Sequence, residues 1–159
     1  MARVRVIGCG NPEAGDDAVG LLAVRALRGR VPPEVEVVEA GPAVRVLDLL
    51  EGADTVIVVD AVRAPAGGRA HGTVLRAEAG ADGLPAELRG SLSSHGLGLA
   101  EALGLAAALG RMPRVVFIGV EAADVTVGRP LSPPVASALP TLVDLVVAEV
   151  AGPPPPRVP

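Results

Sequence analysis

Short apolar-rich runs alternate along the chain with segments whose apolar positions recur every three or four residues. Val4 to Gly8, Val35 to Val38, Thr55 to Val59 and Val115 to Val120 are the runs, and each is soon followed by a glycine or an acid. Their length and apolar content predict strands buried on both sides. Between them, Val19, Leu22, Ala23 and Leu27 predict a helix that starts near Asp16-Asp17 and stops by Pro32-Pro33. Val44 to Leu50 predicts a second. Leu97, Leu99, Ala100, Leu103, Leu105 and Leu109 predict a third, with Ser93 and Ser94 as capping candidates. The last opens at Ser132-Pro133-Pro134 and carries Val135, Leu139, Leu142, Val143, Val146 and Val147, with a kink expected at Pro140. Thr73 to Arg76 predicts a brief strand, suited to a sheet edge, while 63–72 and 77–92 read as loops. Residues 153–159, PPPPRVP, form a proline-rich tail expected to be disordered, which leaves 1–152 as one domain.

Strand and helix in alternation imply a single-domain α/β fold. Its sheet is doubly wound and mostly parallel, with helices on both faces. In such sheets ligands bind beyond the carboxyl ends of the strands. That rule collects Asp16 and Asp17 after the first strand, Glu39 at the end of the second, Asp60 at the end of the third and Glu121 at the end of a later one. His95, at a helix start, belongs to the same rim. Carboxylates with an imidazole suit a borderline divalent ion such as zinc, nickel or iron(II), and without a cation they would repel one another. Blander roles stand beside this one. Asp16 and Asp17 can cap a helix, a single strand-end acid can sit in a solvated loop, and His95 can be a cap or a surface residue.

Composition narrows the chemistry. Half of the 159 residues are apolar but only 1% are aromatic, with Phe117 the sole ring among Phe, Tyr and Trp, so no stacking platform for single-stranded nucleic acid exists. A net charge of −4 argues against a phosphate-binding face. All 14 cationic residues are arginine, which removes lysine nucleophiles and Schiff bases. The one cysteine, Cys9, precludes an intramolecular disulfide and reads as a small buried strand-end residue. His71 reads as exposed. Gly8-Cys9-Gly10 is half of a dinucleotide fingerprint, but Glu13 stands where the third glycine would be and, with Asp16 and Asp17, would repel a pyrophosphate. Ser93 and Ser94 lack the G-x-S-x-G setting of an acyl nucleophile. No signal peptide pattern and no apolar stretch of about 20 residues is present, so a cytoplasmic protein without membrane or nucleic-acid partners is expected.

The motifs together resemble those of the nickel–iron hydrogenase maturation endopeptidases. Gly8-Cys9-Gly10-Asn11, Gly15-Asp16-Asp17 and Gly20 are similar to that family's GxGNxxxxDDxxG signature. Val59-Asp60-Ala61 resembles its VDA segment and Ser93-Ser94-His95 its S-x-H segment. Gly119-Val120-Glu121, Leu131-Ser132-Pro133 and Ala138-Leu139-Pro140 resemble its closing block. The four blocks occur in order from residue 3 to about 150. The resemblance implies a phosphorylase/hydrolase-like fold and removal of a C-terminal extension from a hydrogenase large-subunit precursor after nickel insertion. It also implies a metal site of Asp17, Asp60 and His95, with Asp16 and Glu39 in supporting catalytic roles. The metal would be nickel presented by the precursor, and another divalent ion such as zinc or cadmium would occupy the site in vitro. The chain departs from the pattern at Gly41-Pro42-Ala43-Val44, where relatives often have G-T-x-G, and at Glu13 and Ala18. Three other classes stay open on the residues alone: a metal-dependent hydrolase of another substrate, a non-catalytic precursor-binding module, and a nucleotide-binding protein.

Overall fold

The computed structural model describes residues 3–63, 69–80, 83–85 and 99–152. Ser93, Ser94, His95 and the 153–159 tail lie outside the described residues. The elements are β1 (Val4–Cys9), α1 (Val19–Ala26), β2 (Glu36–Gly41), α2 (Val46–Leu49), β3 (Thr55–Val62), β4 (Val74–Glu78), α3 (Leu99–Ala108), β5 (Arg114–Glu121) and α4 (Pro133–Val150). Short 3₁₀ turns at Gly15–Ala18 and Ala43–Arg45 lead into α1 and α2.

The five strands form one sheet in the order β2-β1-β3-β5-β4. All neighbours are parallel except β4, which runs antiparallel to β5 at the edge. Alternation along each buried strand sends side chains to two separate cores. Val6, Ile57, Val59, Val116 and Ile118 pack under α1 and α4. Ile7, Val56, Val58, Val115 and Phe117 pack under α2 and α3. Helices thus cover both faces, as the sequence pattern predicts.

Several boundaries differ from the sequence reading. Helix α1 ends at Ala26, well before Pro32-Pro33, and Gly29 has φ +82° in the turn that follows. The second helix is reduced to a 3₁₀ turn and the four residues of α2. Strand β3 runs on to Val62, because Ala61 and Val62 keep pairing with Val120 and Glu121. Asp60 is therefore inside the sheet, not in a loop after it. Helix α4 is 18 residues long and continues through the exposed Pro140. Its length and mean hydropathy of 1.4 would suffice to cross a bilayer. Here Val135, Leu142, Val143 and Val146 lie in the core, and Asp144 and Glu149 pair with Arg30 and Arg76.

The glycines of the first block are packing devices. A Cβ on Gly20 would fall 2.3 Å from the Val59 carbonyl oxygen and 2.6 Å from that of Cys9. Both are backbone atoms that cannot rotate away, so only glycine lets α1 lie this close to β1 and β3. Gly20→Ala is expected to cost about 2 kcal/mol or more and to lower Tm by about 5 °C or more in a thermal melt. An unchanged Tm would show that the helix can lift without loss.

Candidate active site

Strand β1 delivers the chain to the carboxyl edge at Cys9, and Gly10 turns it with φ +130°. A Cβ there would lie 1.8 Å from the Asp17 carbonyl oxygen, so glycine is required for the loop to fold back on itself. Asn11 fixes this return. Its side-chain oxygen accepts the Glu13 N–H at 3.0 Å, and its own N–H donates to Asp17 Oδ2 at 2.9 Å. The Gly15–Ala18 turn then presents two adjacent aspartates to different surroundings.

Asp16 is fully buried. Its Oδ2 accepts the N–H of Ala123 and of Asp124 and the hydroxyl of Ser132, and its Oδ1 accepts the Ser132 N–H, all at 2.7–2.9 Å. Burial by itself would raise its pKa, but these donors outweigh burial and hold the carboxyl below its ordinary value. The Asp16 N–H also donates to the Asp124 carbonyl at 2.8 Å. Both carboxylate oxygens are engaged in clamping the segment between β5 and α4 onto the first loop. Neither aspartate caps the turn through its side chain. Asp16 is thus a structural strut, which corrects the capping role expected for it.

Asp17 is half-buried and turns the other way, toward Asp60. Asp60 is 3% exposed and its Oδ1 accepts the N–H of Ala61 at 2.8 Å. Burial, then the Asp17 charge, pushes its carboxyl up to about 8 against that one hydrogen bond. Gly119 is its partner on β5 and offers no side chain. The ring of Phe117 folds over Gly119, with Cε1 2.7 Å from the place a Cβ would take. The Cys9 thiol lies nearby. Burial, then the Asp60 and Asp17 charges, pushes its pKa well up, so it stays protonated and is no nucleophile.

The structure does not bring Glu39 to this pair. Glu39 is on the face of β2 shared with Val37, which packs under α1, whereas Asp60 shares its face with Val58 and Val62, under α2 and α3. Arg25 and Arg28 of α1 hold the Glu39 carboxylate at 2.8 and 3.5 Å. Glu121 does share the Asp60 face. It is 1% exposed, and Arg69, 2.7 Å away, pairs with it. No sequence signal points to that pairing, since Arg69 stands in a loop without periodicity. His71 is exposed, as expected.

Among the described residues, no group of three histidine, cysteine, aspartate or glutamate side chains converges to hold a metal. Two carboxyl groups, Asp17 and Asp60, lie close together here, and burial with the Asp17 charge keeps the Asp60 proton in place. The model for the hydrogenase maturation proteases (HycI) matches residues 22–149. The chain belongs to the hydrogenase maturation protease family. It is similar to the hydrogenase 2 maturation protease of Escherichia coli K12, with 31% identity over 122 residues that span 74% of this chain and 72% of that protein. The solved structure of the E. coli hydrogenase maturating endopeptidase HybD superposes with a TM-score of 0.79 at 27% identity, covering 94% of this chain and 92% of the other. The HybD maturation protease of Thermococcus kodakarensis gives 0.72 at 25% identity over 93% and 99%. As a hydrogenase maturation protease the chain is a hydrolase of the endopeptidase type. The family match begins after Asp17, so the first loop is tied to these proteases through the structural superpositions.

Proposed function

We propose that this maturation protease removes a C-terminal extension from a nickel–iron hydrogenase large-subunit precursor once nickel is in place, and that Asp17, Asp60 and His95 complete the coordination of the nickel the precursor carries. The observation that supports this reading most is the buried pair itself. Two carboxylates, one from the first loop and one from β3, converge at the carboxyl edge, and among the described residues neither forms an ion pair with an arginine. A fold keeps such a pair only at an energetic cost, which an incoming dication offsets. His95 enters from the sequence motif and would supply the nitrogen ligand of a mixed oxygen–nitrogen set, suited to nickel or zinc.

In this scheme the chain contributes placement. Asn11 and the Gly10 turn fix the Asp17 carboxylate, β3 fixes Asp60, and the Asp16 clamp fixes the segment that closes one side of the site. A precursor anchored by its nickel has the peptide bond beside that anchor held in one orientation, and water then adds across it.

The test has two readouts. Calorimetric titration with nickel(II), zinc(II) or cadmium(II) is expected to show about one equivalent bound to wild type and none to the Asp17→Ala/Asp60→Ala/His95→Ala variant. Processing of a nickel-loaded precursor should stop in Asp17→Asn and in His95→Ala while their melting curves stay cooperative. Unimpaired processing in both variants overturns the assignment.

A further inference from the structure

Three arginines converge where β3 and β5 leave the sheet. Val62 and Glu121 are the last paired residues of the two strands, and the Ala122 N–H donates to the Val62 carbonyl at 2.8 Å. Arg63 follows Val62 directly. Arg69 returns to the same place, its Nε and one terminal nitrogen both on Glu121 Oε1 at 2.7 Å. Arg129 lies on the segment that leaves β5, which the Asp16 clamp and a Gly128 N–H bond to the Glu13 carbonyl (2.7 Å) hold in place. Thr126 holds the Asp124 carboxyl low through its hydroxyl and N–H, and Arg129 and Arg63 act on the same carboxyl in the same direction.

These cations are underused by the fold. Arg63 and Arg129 are exposed, and their side chains form no hydrogen bond or ion pair among the described residues. Arg69 has a second terminal nitrogen with no such partner, and its side chain is 36% exposed. The carboxylates they act on are Glu121 and Asp124. Glu13, on the neighbouring loop, is exposed and forms no ion pair among the described residues. An acidic protein thus carries, near its buried aspartate pair, exposed guanidinium groups whose donors the described residues do not take up. Guanidinium groups with free N–H donors match a carboxylate by charge and by planar geometry.

We infer that Arg63, Arg69 and Arg129 form a docking subsite for an acidic side chain of the peptide substrate, next to the bond that is cut. The inference rests on the proposed function and adds a substrate requirement to it. An acid seated there takes up the unused guanidinium donors and aligns the peptide along the β3–β5 end, past Asp60.

The test follows cleavage of the cognate nickel-loaded large-subunit precursor by wild type and by an Arg63→Gln/Arg129→Gln variant. Both positions are exposed, so the variant is expected to fold normally. KM should rise about ten-fold or more with kcat unchanged. Raising the ionic strength should raise the wild-type KM and leave that of the variant nearly flat. Glutamine in place of the acidic residues flanking the cleavage site of the precursor should reproduce the loss in wild type and add nothing in the variant. Arg69→Gln would also remove the Arg69 ion pair of the buried Glu121, so the double variant decides. A KM unchanged in that variant, with wild type active, overturns this inference alone. A precursor left uncut by wild type overturns the proposed function and this inference with it.

Discussion

Asp60→Asn is expected to make the metal-free protein more stable at pH 8 while abolishing its processing activity. The folded state holds the Asp60 carboxyl at about 8, mainly by burial and then by the Asp17 charge. In the unfolded chain the group has an ordinary pKa of about 3.9. Between these values the folded protein binds the extra proton, so stability falls as pH rises, levelling off above about 8. A shift of this size corresponds to a loss on the order of 5 kcal/mol across that interval, large against the total stability of a domain this size. An asparagine side chain carries no charge to desolvate, and its oxygen can still accept the Ala61 N–H. Urea unfolding from pH 5 to 8 in chelator should give a falling stability for wild type and a nearly flat one for Asp60→Asn. Parallel slopes would show that Asp60 is ionised at little cost. A variant that gains stability as it loses function would mark the aspartate pair as strain retained for chemistry.

Asp16→Ala is expected to destabilise the protein by about 3–5 kcal/mol, since it strands the N–H groups of Ala123, Asp124 and Ser132 and the Ser132 hydroxyl. Asp16→Asn keeps one acceptor oxygen and should cost less, about 1–3 kcal/mol. Because its hydrogen bonds hold Asp16 below the ordinary carboxylate range, its contribution is fully present above about pH 4 and is lost as pH falls through the folded pKa. Its pH dependence is therefore opposite in sign to that of Asp60, and the two set a stability maximum on the acid side of neutrality. Urea unfolding at pH 6 measures the difference directly. A loss under about 1 kcal/mol, as for a surface acid, would remove the clamp from the account.

The strands and the two-sided helix cover are legible in the sequence because buried parallel strands must be apolar and amphipathic helices periodic. The separate roles of neighbouring acids are not. Asp16 and Asp17 are chemically alike and adjacent, and only the long-range partners at Ala123, Asp124 and Ser132, more than 100 residues away, separate strut from site. Glu39 and Asp60 each stand two residues before the end of their strand, yet one residue of alternation decides the face, and the extent of β3 that sets the alternation near Asp60 depends on pairing with β5. The length of α2 is hidden for a different reason: Val44 to Leu50 has helical periodicity throughout, while the 3₁₀ turn at Ala43–Arg45 takes up its first part. The dinucleotide-like glycines are half legible. The acids exclude a pyrophosphate, but close contact between Gly20 and the Val59 and Cys9 carbonyls is a tertiary fact.

Phe117 is the chain's only residue among Phe, Tyr and Trp, and its ring lies over Gly119, directly across the sheet pairing from Asp60. In a proton NMR spectrum recorded after full N–H exchange into heavy water, its ring resonances therefore share the aromatic region with just two imidazoles. A change of charge or occupancy at the aspartate pair will shift signals that only the two imidazoles accompany, so the protein carries its own reporter, needing no isotopic enrichment, at the one position where reporting is most useful.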